Sequence, residues 1–434
     1  MAFLGIGKKR KANFNLISSQ SAVWLDLSKK ETLQSIFYRI PEVAAPILWK
    51  ANAFSNINIG LRKLSNNREV KFYEANKLEK KILNLFINPN CIQAKTEFFR
   101  QYFVNLEVFG NAFIYALAPE DKFKIENIMA LWNLPSLYTG IESTGKIFEQ
   151  TNKKDIIESY IVKYQGYERY FTDVKTIMHK NHVNIKFGNQ EEIKGESKLV
   201  NLVKPISNLE AAYEARNVLI SKRGAIGALT GDPGNKDVAG FIPIDDKERK
   251  RLQDEYTKYG LGKDQYQVLI TEMPMKWIPF VFDFDQLKLH EETEVDFQEI
   301  LGVFGLRREI FPTSKGGTFA NTREAEKASY QDVIIPEFED TLREITNWLE
   351  LRELGYELFP QFDHIPILQI DRMIFAQALQ ITNSVYQTLW QVGAITLNQW
   401  LIALGLPPVK ENSFDQFNPN PSNPSIPNTF QTPT

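Results

Sequence analysis

The sequence predicts an α+β chain that is mainly helical, and three observations carry that expectation. Apolar residues recur at helical spacing over long stretches, as in Phe98, Phe99, Tyr102, Phe103, Leu106 and Phe109. Short β-type runs separated by turns gather between residues 129 and 187. From Pro205 to Phe311 the pattern is helix, small mixed insertion, helix. At 434 residues, with 43% hydrophobic and 24% charged, the chain can bury a sizeable core and hold roughly two or three domains.

Residues 1–30 are weakly patterned and read as a flexible arm with a basic cluster, Lys8 to Lys11. A helix is expected over 31–53, divided or kinked by Pro41 and Pro46. Alternation of Ile57, Ile59 and Leu61 makes 54–64 a strand, and a helix from Tyr73 to Phe86 stops at Asn88-Pro89-Asn90. Thr96 is expected to cap the aromatic helix that Gly110-Asn111 interrupts, with a strand over 112–117. The β runs at 131–134, 156–164 and 176–185 form a small antiparallel or mixed sheet. His179 and His182 fall in the last run, but strand positions three apart face opposite sides, which argues against a shared metal.

The first organising helix covers 207–228. The loop Thr230 to Asn235 follows, then strand 238–242, helix 245–259, strand 266–270 and strand 276–280. The helix of this insertion balances five Lys/Arg against five Asp/Glu. The second organising helix covers 284–304 and closes on Gly305-Leu306. Its stripe is Phe297, Ile300, Leu301 and Phe304, and its acids are Glu291, Glu292, Glu294, Asp296 and Glu299, with no Lys or Arg among them. A long helix over 321–353 is expected to kink at Pro336, and strand-like alternation occupies 356–370. Helices at 371–386 and 396–404 follow. Residues 411–434 hold five Pro and five Asn and read as disordered on their own.

A net charge of −2 gives no global pull toward nucleic acid. The single cysteine, Cys91, excludes an intrachain disulfide framework and suits a reducing cytoplasm. No apolar run reaches the ~18 residues of a membrane span, so a protein that is soluble and intracellular, or assembled inside a cell, is expected. The loop Thr313-Ser314-Lys315-Gly316-Gly317-Thr318 is not a nucleotide cradle, because its Lys precedes the glycines and a helix precedes the loop. Acidic pairs such as Asp283/Asp285 lack a third ligand for nuclease chemistry. The sequence gives no ground for an enzyme, and no cofactor is expected.

Several segments in order resemble one family. Gln93 to Leu117 contains Phe109-Gly110-Asn111-Ala112-Phe113. Gly195-Glu196-Ser197-Lys198-Leu199 has the form Gly-x-Ser-x-Leu, and Met178-His179 ends a strand. Ile300 to Leu306 and Thr396 to Val409 complete the set. Over about 33–410 the chain resembles the portal proteins of tailed double-stranded DNA bacteriophages. Arg307-Arg308 stands where the family usually has Pro-Pro, and Trp400 where Arg is common.

The resemblance implies a portal fold assembling as a ring, commonly of twelve subunits, at one capsid vertex of the virion. DNA passes through it during packaging and ejection. It implies a wing over 31–205, stem helices at 206–228 and 282–306, a clip over 229–281 and a tunnel loop over 307–322. A kinked long helix and a wing strand (323–370) and crown helices (371–410) complete the map. The stem acids Glu291, Glu292, Glu294, Asp296 and Glu299 would line the channel, and Thr313, Ser314, Lys315, Gly316, Gly317 and Thr318 would project toward DNA. Lys247, Arg249, Lys250 and Arg251 in the clip would meet the terminase large subunit and then a head-tail adaptor, with the major capsid protein as a further partner. The competing readings are another head-tail adaptor or structural protein, which is usually shorter, and a packaging ATPase or nuclease, which needs the missing phosphate loop and metal ligands.

Overall fold

The computed structural model describes residues 24–119, 122–147, 149–188, 190–222, 227–231, 275–279, 289–311, 319–404 and 412–418, with isolated positions 247, 250, 251, 254, 406, 408 and 409. Helix α1 (Lys30–Arg39) and α2 (Pro41–Asn56) share the predicted first helical stretch. Pro41 starts the second because a first-turn position needs no N–H donor. Strands β1 (Asn58–Lys63) and β2 (Arg68–Glu69) follow, then α3 (Lys77–Ile87), whose Asn76 and Glu79 form a reciprocal capping box. Helix α4 (Lys95–Phe109) begins after Ala94 with no side-chain cap, so Thr96 does not cap it. Lys95 anchors its first turn instead, donating to Ile57 O at 3.0 Å and Asn58 Oδ1 at 2.8 Å.

The β runs form two antiparallel three-stranded sheets rather than one. Strand β3 (Asn111–Leu117) lies between β4 (Ala130–Leu134) and β8 (Ile177–Asn181). In the other sheet β6 (Ile157–Tyr164) lies between β5 (Thr139–Ser143) and β7 (Tyr167–Phe171), with the single turn α5 (Lys153–Ile156) leading into it.

Helix α6 (Val203–Lys222) is placed earlier than predicted. Ala228, assigned to it from sequence, lies in β9 (Gly227–Gly231), opposite Ile278 of β10 (Met275–Pro279). Glycines at 224 and 227 disfavour helix, and the loop-type sequence from Thr230 hid the strand. The predicted strands at 238–242 and 266–270 lie outside the described residues.

Helix α7 (Leu289–Val303) leads to α8 (Phe319–Ser329), a π turn at 330–334 and α9 (Ile335–Trp348). The π turn ends two residues before Pro336, which lacks an N–H, so the expected break is a change of hydrogen-bond register. Strand β11 (Tyr356–Gln361) pairs antiparallel with β1. Helix α10 (Pro366–Gln391) starts before the predicted Asp371, and α11 (Leu397–Ala403) carries a Thr396–Gln399 capping box.

Both predicted loose ends are partly ordered. Leu27 is buried and the Leu25 N–H donates to Ser207 Oγ at 3.0 Å. Beyond residue 411, Asp415 Oδ1 accepts from Asn398 Nδ2 at 2.7 Å and Phe417 bridges to Thr396.

The main core gathers α2, α3, α4, β1, β3, β4, α9 and β11 around aromatic rings. Phe54 lies 4.5 Å from Phe103 and 4.7 Å from Phe338, centroid to centroid. A second core joins α1 and α2 to the start of α6 and the end of α7. It decides how that helix pair stands on the body.

Candidate functional site

The paired helices α6 and α7 are the candidate site. Ile206 and Leu209 of α6 and Phe297, Ile300, Leu301 and Phe304 of α7 are buried with Val43, Ile47, Leu199 and Leu202, so the predicted stripe is the one that packs. Helix α7 closes as predicted, with Leu306 N–H donating back to Leu301 O at 2.9 Å. Beyond Leu209 no described side chain of α6 is buried. Polar side chains carry the contact with the body further along α6, where Tyr213 Oη donates to Glu42 Oε1 at 2.6 Å and Glu210 pairs with Arg39 at 2.8 Å. Polar contacts also join the two helices to each other. Asn208 Nδ2 lies 3.3 Å from Asp296 Oδ1, and Arg216 donates to Thr293 Oγ1 at 3.0 Å.

The five predicted acids do not share one face. Glu291, Glu292 and Glu299 are exposed. Asp296 turns inward against α6; burial, with Glu299 and Glu292 nearby, pushes its carboxyl above the usual range. Glu294 is half-buried and held by Arg308, whose second guanidinium nitrogen donates to Glu294 Oε2 at 2.9 Å. The same guanidinium sits 5.0 Å from the Phe297 ring centroid and donates to Phe311 O at 3.1 Å. Asp296 and Glu294 are thus fastened within the protomer, because one lies at the helix–helix seam and the other beneath the turn after α7. Arg308 thereby ties that turn back onto the helix. An Arg a few residues past an acidic helix was the sequence signal for it. Lys247, Lys250 and Arg251 are exposed and helical; Arg249 and all of Thr313 to Thr318 lie outside the described residues.

Two sequence motifs meet beneath the pair. Gly110 ends α4 at φ +71°, and a Cβ on Gly195 would lie 2.0 Å from Gly110 O, so the two glycines let backbones touch. Asn111 staples them: its Nδ2 donates to Gly195 O at 2.8 Å, and its Oδ1 accepts Gly195 N–H at 2.8 Å. His179 Nε2 lies 2.9 Å from the same Oδ1, with its ring stacked 4.6 Å from Phe113. Burial drives the His179 pKa down to about 3, with Lys153 and Lys30 adding to the effect. His182, just past β8, falls to about 4, again chiefly through burial. Among the described residues no group of three or more His, Cys, Asp or Glu is placed to hold a metal.

Ser197 caps the turn that presents Lys198 to a buried charge cluster. Glu107 Oε1 lies 3.1 Å from both Lys50 Nζ and Lys198 Nζ, and Glu337 Oε1 lies 2.9 Å from Lys50 Nζ. Burial opposes ionisation of Glu107, but Lys50, Lys198 and His182 outweigh it and hold its pKa at about 2. This cluster ties α2, α4 and α9 to the segment that launches α6. The sequence reading passed over it, although a Lys between Ile47 and Phe54 and a Glu in an aromatic helix were visible signals.

A match to the family described as phage portal protein spans residues 41–405. The chain belongs to the phage portal protein family. Membership gives it a structural, portal-type role, in a family that is not one of enzymes. A protein of Rickettsia felis described only as uncharacterized is 21% identical over 333 residues, 75% of this chain and 77% of that one. Among solved structures, a chain from the neck of an empty gene transfer agent (GTA) particle computed with C6 symmetry is 19% identical. Its TM-score is 0.59, over 88% of this chain and 94% of that one. One from the neck of the native particle, computed with C12 symmetry, is 19% identical with a TM-score of 0.57, over 87% and 93%. At such identities the likeness is one of fold: a portal fold, α+β and mainly helical.

Proposed function

We propose that this chain forms a closed ring at one capsid vertex and that double-stranded DNA is packaged and ejected through it. The observation that carries the reading is the α6–α7 helix pair. Its apolar stripe is buried in the protomer, while Glu291, Glu292 and Glu299 stand exposed on a helix with no Lys or Arg. Repeated by rotation, those carboxylates make an acidic wall. Every phosphate neutralised by a fixed cation would add salt-dependent affinity, which a conduit must avoid. The C12 and C6 symmetry of the similar neck assemblies supports rotational repetition, and we take twelve as the subunit number.

On this reading α6 and α7 are the stem, and β9, β10 and the residues between them are the clip. Lys247, Arg249, Lys250 and Arg251 there meet the terminase large subunit and later the head-tail adaptor. The sheets and α1–α4 with α8, α9 and β11 form the wing beside the major capsid protein, and α10 and α11 form the crown. Thr313 to Thr318 make the tunnel loop, with Lys315 touching DNA transiently. The ring assembles in the host cytoplasm and resides in the virion.

The test is a triple reversal, Glu291→Lys, Glu292→Lys and Glu299→Lys, which leaves the Arg308-bound Glu294 intact. Rings of unchanged mass with DNA packaging reduced tenfold or more are expected; normal packaging refutes the acidic wall.

A further inference from the structure

From Met373 to Val409 the sequence contains no Asp, Glu, Lys, Arg or His, where the chain's overall 24% would place roughly nine charged groups. Yet α10 is a long helix with no buried side chain anywhere from Gln377 to Gln391. Ile381 is 65% exposed, Val385 50% and, on α11, Ile402 58%. A surface helix ordinarily turns its large apolar side chains to the core and its polar ones to water, whereas here large apolar side chains stand exposed on an uncharged helix. The hairpin is nonetheless well built. The Trp390 and Trp400 rings lie 6.3 Å apart, and Trp400 Nε1 donates to Asn383 Oδ1 at 3.1 Å. Asn398 exchanges bonds of 2.9 and 2.8 Å with the backbone of Val409. Its open faces are therefore surfaces of a defined structure.

The chemistry of those faces selects the occupant. DNA would need cations for its phosphates, and the stretch has none. A charged protein partner would find nothing to complement. A membrane is disfavoured by Gln377, Gln380, Asn383, Gln387 and Gln391, and no described helix is long and apolar enough to cross one. What remains is a surface equally free of charge, which this chain itself carries. The distribution around α10 agrees: at 100° per residue, Ile381 and Val385 lie about 200–240° round the helix from Leu379. Two apolar flanks suit a helix with a like neighbour on each side, the arrangement that a head-to-tail closed ring imposes.

We infer that the uncharged α10–α11 hairpin packs against the same hairpin of the two adjacent copies, the Leu379 flank of one against the Ile381/Val385 flank of the next. This rests on the ring reading. Cys91 is the chain's single cysteine and is exposed, so Cys91→Ser gives a clean background. In it, Leu379→Cys with Val385→Cys, treated with a short bismaleimide, should give a ladder extending beyond dimers on a denaturing gel. Each single variant should stop at dimers or below. Maleimide labelling of the Val385→Cys variant should slow at least tenfold in assembled rings relative to dissociated chains. Ile381→Cys replaces Val385→Cys if that variant does not assemble. Rings of full mass that neither ladder nor protect these positions overturn the inference and leave the ring reading standing. A wild-type chain that stays monomeric under assembly conditions overturns both.

Discussion

Replacing Lys50 by Met tests the charge cluster beneath the helix pair. Lys50 is wholly buried, within 3.1 Å of Glu107 and 2.9 Å of Glu337, and its Nζ lies 5.3 and 5.9 Å from the Phe103 and Phe304 ring centroids. The Met side chain keeps most of the volume but leaves Glu107, also fully buried, with one cation fewer. Breaking a buried ion pair in this way costs about 3–5 kcal/mol. Lys198 still reaches Glu107 at 3.1 Å, which places the expected loss at the lower end, about 3 kcal/mol. Adding Glu107→Leu removes the stranded charge and leaves Lys198 with Glu337 at 3.4 Å as a balanced pair. The double variant should therefore recover at least about 2 kcal/mol relative to the sum of the single changes. Urea unfolding of dissociated chains at pH 7, followed by tryptophan fluorescence, measures all four corners of the cycle. A single-variant loss below about 1 kcal/mol, or strictly additive effects, would refute the argument.

Three other outcomes follow from the same geometry. Gly195→Ala should abolish soluble folded protein, since its Cβ would meet Gly110 O at 2.0 Å and His182 N at 2.7 Å, both backbone atoms; a normal yield with unchanged Tm rejects the clasp. Stability should fall as pH drops below about 6.5, by at most about 1.4 kcal/mol per pH unit for each histidine. The sign is set by burial: His179 and His182 stay neutral in the fold down to about 3 and about 4, so the unfolded chain binds their protons first. A Tm flat between pH 7 and 4.5 contradicts the histidine contribution, and Glu107 adds a further loss only below that window, from its ordinary value of 4.5 toward about 2. Arg308→Ala should cost only about 1 kcal/mol because Glu294 is partly solvated, yet it should speed amide exchange at 308–311; unchanged exchange there removes Arg308 as the tie.

Local periodicity made α7, α4 and α11 legible as helices, because stripes such as Phe297 to Phe304 are written in consecutive turns. It did not reveal that the β runs divide into two sheets, since strand partners are chosen by tertiary packing. Strand β9 was hidden because Gly227 to Gly231 carries turn-type residues and is held by pairing with β10. The candidate acids were legible as a composition, but not their division. Only the packed structure distinguishes Asp296 at the α6 seam and Glu294 under Arg308 from the exposed Glu291, Glu292 and Glu299. The Gly110-Asn111 and Gly195-x-Ser197 motifs were visible separately, and their common cause, one backbone crossing stapled by Asn111, appears only in three dimensions.

The most direct test of the central claim is the assembly state of the purified full chain, by native mass spectrometry together with electron-microscope class averages. The account predicts closed rings with a central hole and a mass at one integral multiple of the 50.1 kDa chain, twelve on our reading. A chain that remains monomeric at every ionic strength and concentration tried, with no ring in any class, would contradict it.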